Sequence, residues 1–184
     1  IRTVNLEELR AGTGYVPQEV FLFSDTIAGN IAFSATDLRE IEKSRDAIEQ
    51  AAKDAAIYSS IMEFPEKFET IVGERGVTLS GGQKQRISIA RAIIKHPHIL
   101  IFDDCLSAVD TETEDEILGN LKRIMKDRTT LIISHRVSSV QHADQILVFD
   151  QGQVIEQGTH TDLLEKGGVY AELFRKQALE KRKN

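Results

Sequence analysis

The sequence predicts an α/β fold: a parallel sheet flanked by helices, with an α-helical subdomain and a C-terminal hairpin and helix. Three observations carry that prediction. Short continuous apolar runs, Ile99 to Phe102 and Leu131 to Ile133, alternate with segments whose apolar residues recur at helical spacing. Runs of this kind mark parallel strands covered on both faces. A glycine cluster, Gly73, Gly76, Gly81 and Gly82, leads into a segment with Ile87, Ala90, Ala92, Ile93 and Ile94, and Pro97 lies just beyond its end. Residues 145–149 and 153–156, joined by Asp150-Gln151-Gly152, read as a β-hairpin.

Taken in order, the chain begins at Ile1 and reaches a Gly12-x-Gly14 turn and a short apolar strand that ends at Pro17 and Gln18. This start reads as a fold entered part-way, with N-terminal strands missing. Residues 37–64 place Leu38, Ile41, Ile48, Ala51, Ala52, Ala55, Ala56 and Ile61 at helical intervals and end near Pro65. They predict an insert of two or three helices within a helical subdomain of about residues 25–95. Residues 113–125 repeat Ile117, Leu118, Leu121, Ile124 and Met125 on one helical face, and a last helix starts near Val169 before the basic tail Lys181-Arg182-Lys183. No internal repeat or low-complexity linker interrupts the chain. Residues 1–184 are expected to form a single, incomplete domain.

Composition narrows the function classes. The 184 residues hold 23 Lys plus Arg against 29 Asp plus Glu, a formal net charge of −6. An acidic balance argues against nucleic acid as the main partner. No apolar run approaches the roughly 18 residues of a membrane span, and Cys105, the one cysteine, has no internal disulfide partner. None of the twelve glycines is followed by Lys, so these residues contain no phosphate-cradling loop of the G-x-x-x-x-G-K-[ST] type.

Leu79-Ser80-Gly81-Gly82-Gln83 is the most specific segment. Two glycines at a helix start let a ligand approach the backbone, and the unpaired N–H groups of the first turn with the positive end of the helix dipole favour an anion. A plain Ser-capped helix after a Gly-rich turn would look the same locally. Ile99 to Asp103 is an apolar strand with a carboxylate at its C-terminal end, where open α/β sheets place ligands. Asp103 there can hold Mg²⁺ beside nucleotide phosphates, and Asp104 is placed as general base for a water. Two acids that merely cap a loop are the alternative. Ser134-His135 follows the next apolar run directly, so His135 is expected at the same sheet edge, or else as a structural His. Phe21-Leu22-Phe23, just after Gln18, reads either as core packing or as a groove for a short helix. The acids Asp110, Glu112, Glu114, Asp115 and Glu116 fit the favourable first turn of a helix better than a metal cluster.

In this order the segments resemble the ATP-binding cassette of ABC transporters. Gln18 in Val16-Pro17-Gln18, Leu79 to Gln83, the strand ending in Asp103-Asp104, Ser107-Ala108-Val109-Asp110, and His135 are similar to the family's Q-loop, signature motif, Walker B strand, D-loop and switch histidine. Gly73-Glu74-Arg75-Gly76 resembles the X-loop of exporter-type members, and Gln157-Gly158-Thr159-His160 with Asp162-Leu163-Leu164 is also exporter-like.

The resemblance implies a P-loop NTPase-like sheet, ATP and Mg²⁺ as ligands, and a second nucleotide-binding domain that completes each site across a dimer. It implies that Ser80, Gly81, Gly82 and Gln83 contact the γ-phosphate of the partner's nucleotide. Asp103 serves Mg²⁺, Gln18 links metal and water to a transmembrane domain, Asp110 crosses the dimer interface and His135 contacts the γ-phosphate. The expected setting is the cytoplasmic face of a cell membrane, in an exporter that couples ATP hydrolysis to transport. Two departures carry further expectations. Without the phosphate-binding loop, the 184 residues alone bind ATP weakly or not at all. Asp104 stands where active members usually have Glu, and a carboxylate set back by about 1 Å can cost on the order of 10²-fold in rate. That favours a heterodimer with one impaired site over a homodimer. Two other functions fit parts of the pattern: a non-catalytic dimerisation or regulatory module, and a soluble ABC ATPase of DNA repair or translation. The exporter-like loop at Gly73 to Gly76, the acidic charge and the lack of a coiled-coil insertion speak against the latter.

Overall fold

A computed structural model of the chain describes residues 4–33, 45–73, 77–106, 109 and 111–181. Leu38, Ile41, Glu74, Arg75, Gly76, Ser107, Ala108, Asp110, Arg182 and Lys183, all invoked above, lie outside the described residues. The chain divides into two compact units, residues 1–133 and 134–184.

The first unit opens with a helix the sequence reading does not anticipate, α1 (Leu6–Ala11). Asn5 caps it, its side-chain oxygen accepting the Glu7 N–H at 2.9 Å, and Glu7 and Glu8 place negative charge in the first turn. Strand β1 (Thr13–Val16) follows. A two-residue strand β2 (Asp25–Thr26) leads into α2 (Ile27–Ala32), whose cap is the Thr26 hydroxyl accepting from Gly29 N–H. Helices α3 (Arg45–Asp54) and α4 (Tyr58–Met62) are the described part of the expected helical insert. A 3₁₀ turn (Lys67–Glu69) and β3 (Ile71–Val72), antiparallel to β2, precede α5 (Gly81–Ile93). Then come β4 (Ile99–Asp103), α6 (Thr111–Met125) and β5 (Thr129–Ile133).

β1, β4 and β5 form one parallel sheet in that order, with Val16 opposite Phe102 and Asp103 opposite Ile133. Val16, Leu100 and Phe102 point into a core shared with Ile27, Ile31, Ile87 and Ile117. α5 crosses β1 so closely that a Cβ on Gly14 would stand 2.7 Å from the Ala92 carbonyl oxygen and 2.9 Å from Leu100 and Pro97 side-chain atoms. Only glycine leaves that space.

The parallel sheet flanked by helices is the architecture the sequence predicts, and its two faces differ in burial. Tyr15, Leu131 and Ile133 are each 52 % exposed on one of them, and burial along β4 and β5 alternates. A continuous apolar run implies cover on both sides. Among the described residues of the first unit, helices cover the face that carries Val16, Leu100 and Phe102, and Tyr15, Leu131 and Ile133 on the opposite face stay half-exposed.

The second unit contains α7 (Val137–Val140) and an antiparallel hairpin of β6 (Ile146–Asp150) and β7 (Gln153–Gly158). Gln151 and Gly152 both have positive φ, +46° and +78°, the backbone that a two-residue hairpin turn requires. α8 (His160–Lys166) starts with a reciprocal capping box between Thr159 and Asp162 and ends at Gly167 in the left-handed conformation. α9 (Val169–Lys181) closes the chain. Val137, Ile146, Leu163 and Tyr170 form this unit's core. Glu156 is only 7 % exposed, yet its carboxylate accepts the Val169 N–H at 2.8 Å and the Tyr170 N–H at 3.1 Å, capping α9 from the hairpin.

Candidate functional site

Parallel pairing of β1 with β4 brings their C-terminal ends to one edge of the sheet. Pro17 ends β1 and Gln18 follows it, exposed. Asp103 is the last residue of β4, and Asp104 turns the chain away with φ of +45°, its N–H held by the Ile133 carbonyl at 2.9 Å. Asp is one of the few non-glycine residues that tolerate this left-handed backbone. Asp103 thus ends its strand as the sequence reading expected, and the parallel register brings Gln18 to the same end of the sheet.

Tyr15, which the sequence reading passed over, also belongs to this edge. Its hydroxyl donates to Asp103 Oδ2 at 3.0 Å. That hydrogen bond is the main cause, ahead of desolvation and the carboxylate's charge, of a phenol pKa above the ordinary tyrosine value. The bond orients the Asp103 carboxylate through one of its two oxygens. Among the described residues no group of three or more His, Cys, Asp or Glu side chains could cage a metal ion. One or two carboxylates at a sheet edge do suit Mg²⁺, which keeps waters and takes further oxygens from phosphate. Cys105 beside them is buried, and burial pushes its thiol up to about 12, so it stays protonated and inert.

Ser80, Gly81, Gly82 and Gln83 form the first turn of α5. Ser80 Oγ accepts from Gln83 N–H at 3.2 Å, and Gln83 Oε1 accepts from Ser80 N–H at 2.9 Å, a complete capping box. The sequence reading expected only the Ser80 cap; the S-x-x-Q spacing is the signal that could have found the full box. The Gly81 and Gly82 N–H groups, as the first two of the helix, have no acceptor within it, and Ser80 and Gly81 are exposed. The Ser-capped helix is present, and the box holds the turn that carries the two glycines. Leu79, buried at 5 % exposure, anchors the turn to the core. Ser80 lies about 18 Å along α5 from Ala92, where the helix meets β1, at 1.5 Å per residue.

The loop after Gln18 is held by a buried polar network. Asn30, fully buried, accepts Phe23 N–H at 2.9 Å and donates to the Phe23 and Thr26 carbonyls, each at 3.0 Å. Arg91 of α5 donates to the Asn30 side chain and carbonyl, both at 2.8 Å, and to the Phe21 carbonyl at 3.0 Å. Its guanidinium also lies over the Phe23 and Phe33 rings. Leu22 packs on the core, whereas Phe21 is 69 % and Phe33 56 % exposed. The core-packing alternative thus holds for Leu22 and fails for Phe21, which presents an apolar surface instead.

His135 belongs to the second unit and is exposed, one residue before the N-cap of α7. Its backbone carbonyl accepts from Gln177 Nε2 at 2.7 Å. Asp110 lies outside the described residues. Of the acids that follow it, Glu112 and Glu114 occupy the first turn of α6, as the helix-dipole reading expected.

Comparison with known proteins adds an independent line. The family described as "ABC transporter" matches residues 1–107. An uncharacterized ABC transporter ATP-binding protein, YknU, of Bacillus subtilis is 51 % identical over 174 residues, covering 95 % of this chain and 29 % of the relative. An ATM1-type heavy metal exporter of Novosphingobium aromaticivorans is 47 % identical over 180 residues, covering 98 % of this chain and 29 % of the relative. A solved bacterial Atm1-family ABC exporter with ATP bound superposes with a TM-score of 0.88 at 47 % identity, covering 97 % of this chain and 30 % of that one. The chain thus spans less than a third of the length of these relatives.

Proposed function

The chain belongs to the ABC transporter family, and from that premise we propose that it is nucleotide-binding-domain sequence of an exporter, coupling ATP binding and hydrolysis to transport across a membrane. The observation that carries the proposal is the pairing of two features in one fold. A boxed helix start presents the Gly81 and Gly82 N–H groups, and a central parallel strand ends in Asp103-Asp104 beside Gln18. In this reading residues 1–184 form one incomplete domain, with a helical subdomain over about residues 25–95. The open face of the β1, β4, β5 sheet supports its being part of a longer polypeptide.

The roles follow from the chemistry of each group. Ser80, Gly81, Gly82 and Gln83 donate to the γ-phosphate of a nucleotide held by a second nucleotide-binding domain. Asp103, steered by Tyr15, holds Mg²⁺, which when bound neutralises charge on the phosphates. Asp104 accepts the proton of the attacking water. Gln18 stands between this edge and a transmembrane domain, Asp110 crosses the dimer interface, and His135 contacts the γ-phosphate. The assembly sits at the cytoplasmic face of a cell membrane. The shorter base Asp104 favours a heterodimer, in which this chain's signature turn completes the partner's competent site.

The test is ATP turnover by the full-length protein with and without Asp104→Glu. The longer carboxylate should raise turnover at this chain's site by on the order of 10²-fold. Unchanged turnover, alone and with a partner subunit, would exclude Asp104 as the limiting base. Titration of the 184 residues with labelled ATP should find no micromolar affinity, and finding it would contradict the phosphate-cradle argument.

A further inference from the structure

From the second unit we infer that Gln177 is a positioning residue that sets His135 by bracketing the backbone on either side of Arg136. The inference rests on the reading of His135 as a γ-phosphate contact. α7 begins at Val137, and its N-cap residue, Arg136, makes no side-chain capping bond. The first N–H of that helix therefore needs an acceptor from elsewhere. Gln177 Oε1 accepts it at 2.8 Å, while Nε2 of the same amide donates to the His135 carbonyl at 2.7 Å. Val137 N–H can only donate and the His135 carbonyl can only accept, so the orientation of the amide is fixed by its partners. Ser134 Oγ accepts Arg136 N–H at 3.0 Å, which makes a third tie within four residues.

The bracket comes from 42 residues further along the chain. Gln177 sits on α9, which is docked by the buried Tyr170 and Ala171 and capped at its start by Glu156. The His135 side chain is exposed. Its direction is inherited from the backbone, and two short hydrogen bonds to one planar amide are what fix that backbone. A group that must meet a phosphate oxygen within a few tenths of an ångström needs such support.

The experiment uses the full-length protein and the variants Gln177→Leu, Gln177→Glu, His135→Ala and the double variant His135→Ala/Gln177→Leu. Loss of the bracket should lower kcat by on the order of tenfold and leave the KM for ATP within about twofold. The double variant should turn over no more slowly than His135→Ala alone, because Gln177 acts only through His135. Gln177→Glu keeps the acceptor for Val137 and loses the donor to His135, so it should fall between wild type and Gln177→Leu. In hydrogen exchange, Gln177→Leu should expose the Val137 amide with no general loss of protection. Normal turnover in Gln177→Leu alongside a defective His135→Ala overturns the positioning role and leaves the function intact. Additive losses in the double variant, or unchanged Val137 protection, also overturn it. A fully active His135→Ala removes the reading of His135 and this inference with it.

Discussion

The Glu156 cap offers a stability test that can be worked from atomic contacts. Its carboxylate accepts two N–H groups at the start of α9 while almost entirely buried. Hydrogen bonds to a charged group are worth about 1.5–3 kcal/mol each, and they are not fully additive when they share one carboxylate. Glu156→Ala should therefore cost about 3 kcal/mol. Glu156→Gln, which keeps one acceptor oxygen, should cost about 2 kcal/mol. The same contact explains Gly168. A Cβ there would collide with Glu156 Oε1 and lie 2.8 Å from its carboxyl carbon, so Gly168→Ala must push the carboxylate off the helix start. Alone it should cost about 2 kcal/mol by losing the same bonds. Once the carboxylate is gone, the added methyl meets no obstacle. In the Glu156→Ala background, Gly168→Ala should then be neutral or stabilise by about 0.5 kcal/mol. Urea unfolding followed by helix signal measures all four chains, and each kcal/mol corresponds to roughly 2–4 °C in Tm at this size. Equal destabilisation by Gly168→Ala in both backgrounds would refute the idea that the glycine serves the cap.

Three further outcomes can be checked on the same chain. Gly14→Ala should destabilise by about 1–3 kcal/mol, because the Ala92 carbonyl and Pro97 are in the way, and a lowered urea midpoint would register it. Asn30→Leu strands the Phe23 N–H and part of the Arg91 guanidinium in the interior and should cost about 3 kcal/mol, with faster exchange at the Phe23 amide. Cys105 should resist thiol reagents at pH 8 until the protein unfolds. Its pKa rises from 9.0 to about 12 on folding, so the unfolded chain releases the thiol proton first. Stability from this group is complete below pH 9 and declines between pH 9 and 12, which alkaline unfolding curves compared with Cys105→Ala would display.

What the sequence made legible was local. Ser80 before a glycine pair announced a capped helix start, Asp150-Gln151-Gly152 announced the hairpin turn, and Ile99 to Asp103 announced a strand ending in a carboxylate. The missed contacts join distant positions. Tyr15 meets Asp103 across 88 residues because β1 and β4 happen to pair in that register, and nothing near Tyr15 encodes it. Gln177 reaches His135 across 42 residues, and Arg91 reaches Phe21 across 70. The α1 helix was hidden by the two glycines beside it, which drew attention to a turn although Asn5 with Glu7 and Glu8 already formed a helix start. The half-exposure of Tyr15, Leu131 and Ile133 on one face of the sheet was not legible, because a continuous apolar run reports what a strand is suited to touch and not whether the described residues supply it.

That open face has a consequence for handling the protein. β5 is the last strand of its sheet among the described strands, and its Leu131 and Ile133 are half-exposed on the same face as Tyr15, two strands away. An edge strand with half-exposed apolar side chains on its face is suited to association with another copy. The 184 residues produced alone should therefore self-associate as concentration rises, whatever the net charge of −6 does for solubility. Covering the half-exposed Leu131 and Ile133 alone would gain roughly 1 kcal/mol each. Lysine at Leu131 is the inexpensive remedy for anyone wanting a monomer in solution, and light scattering would tell at once whether this edge is the sticky one.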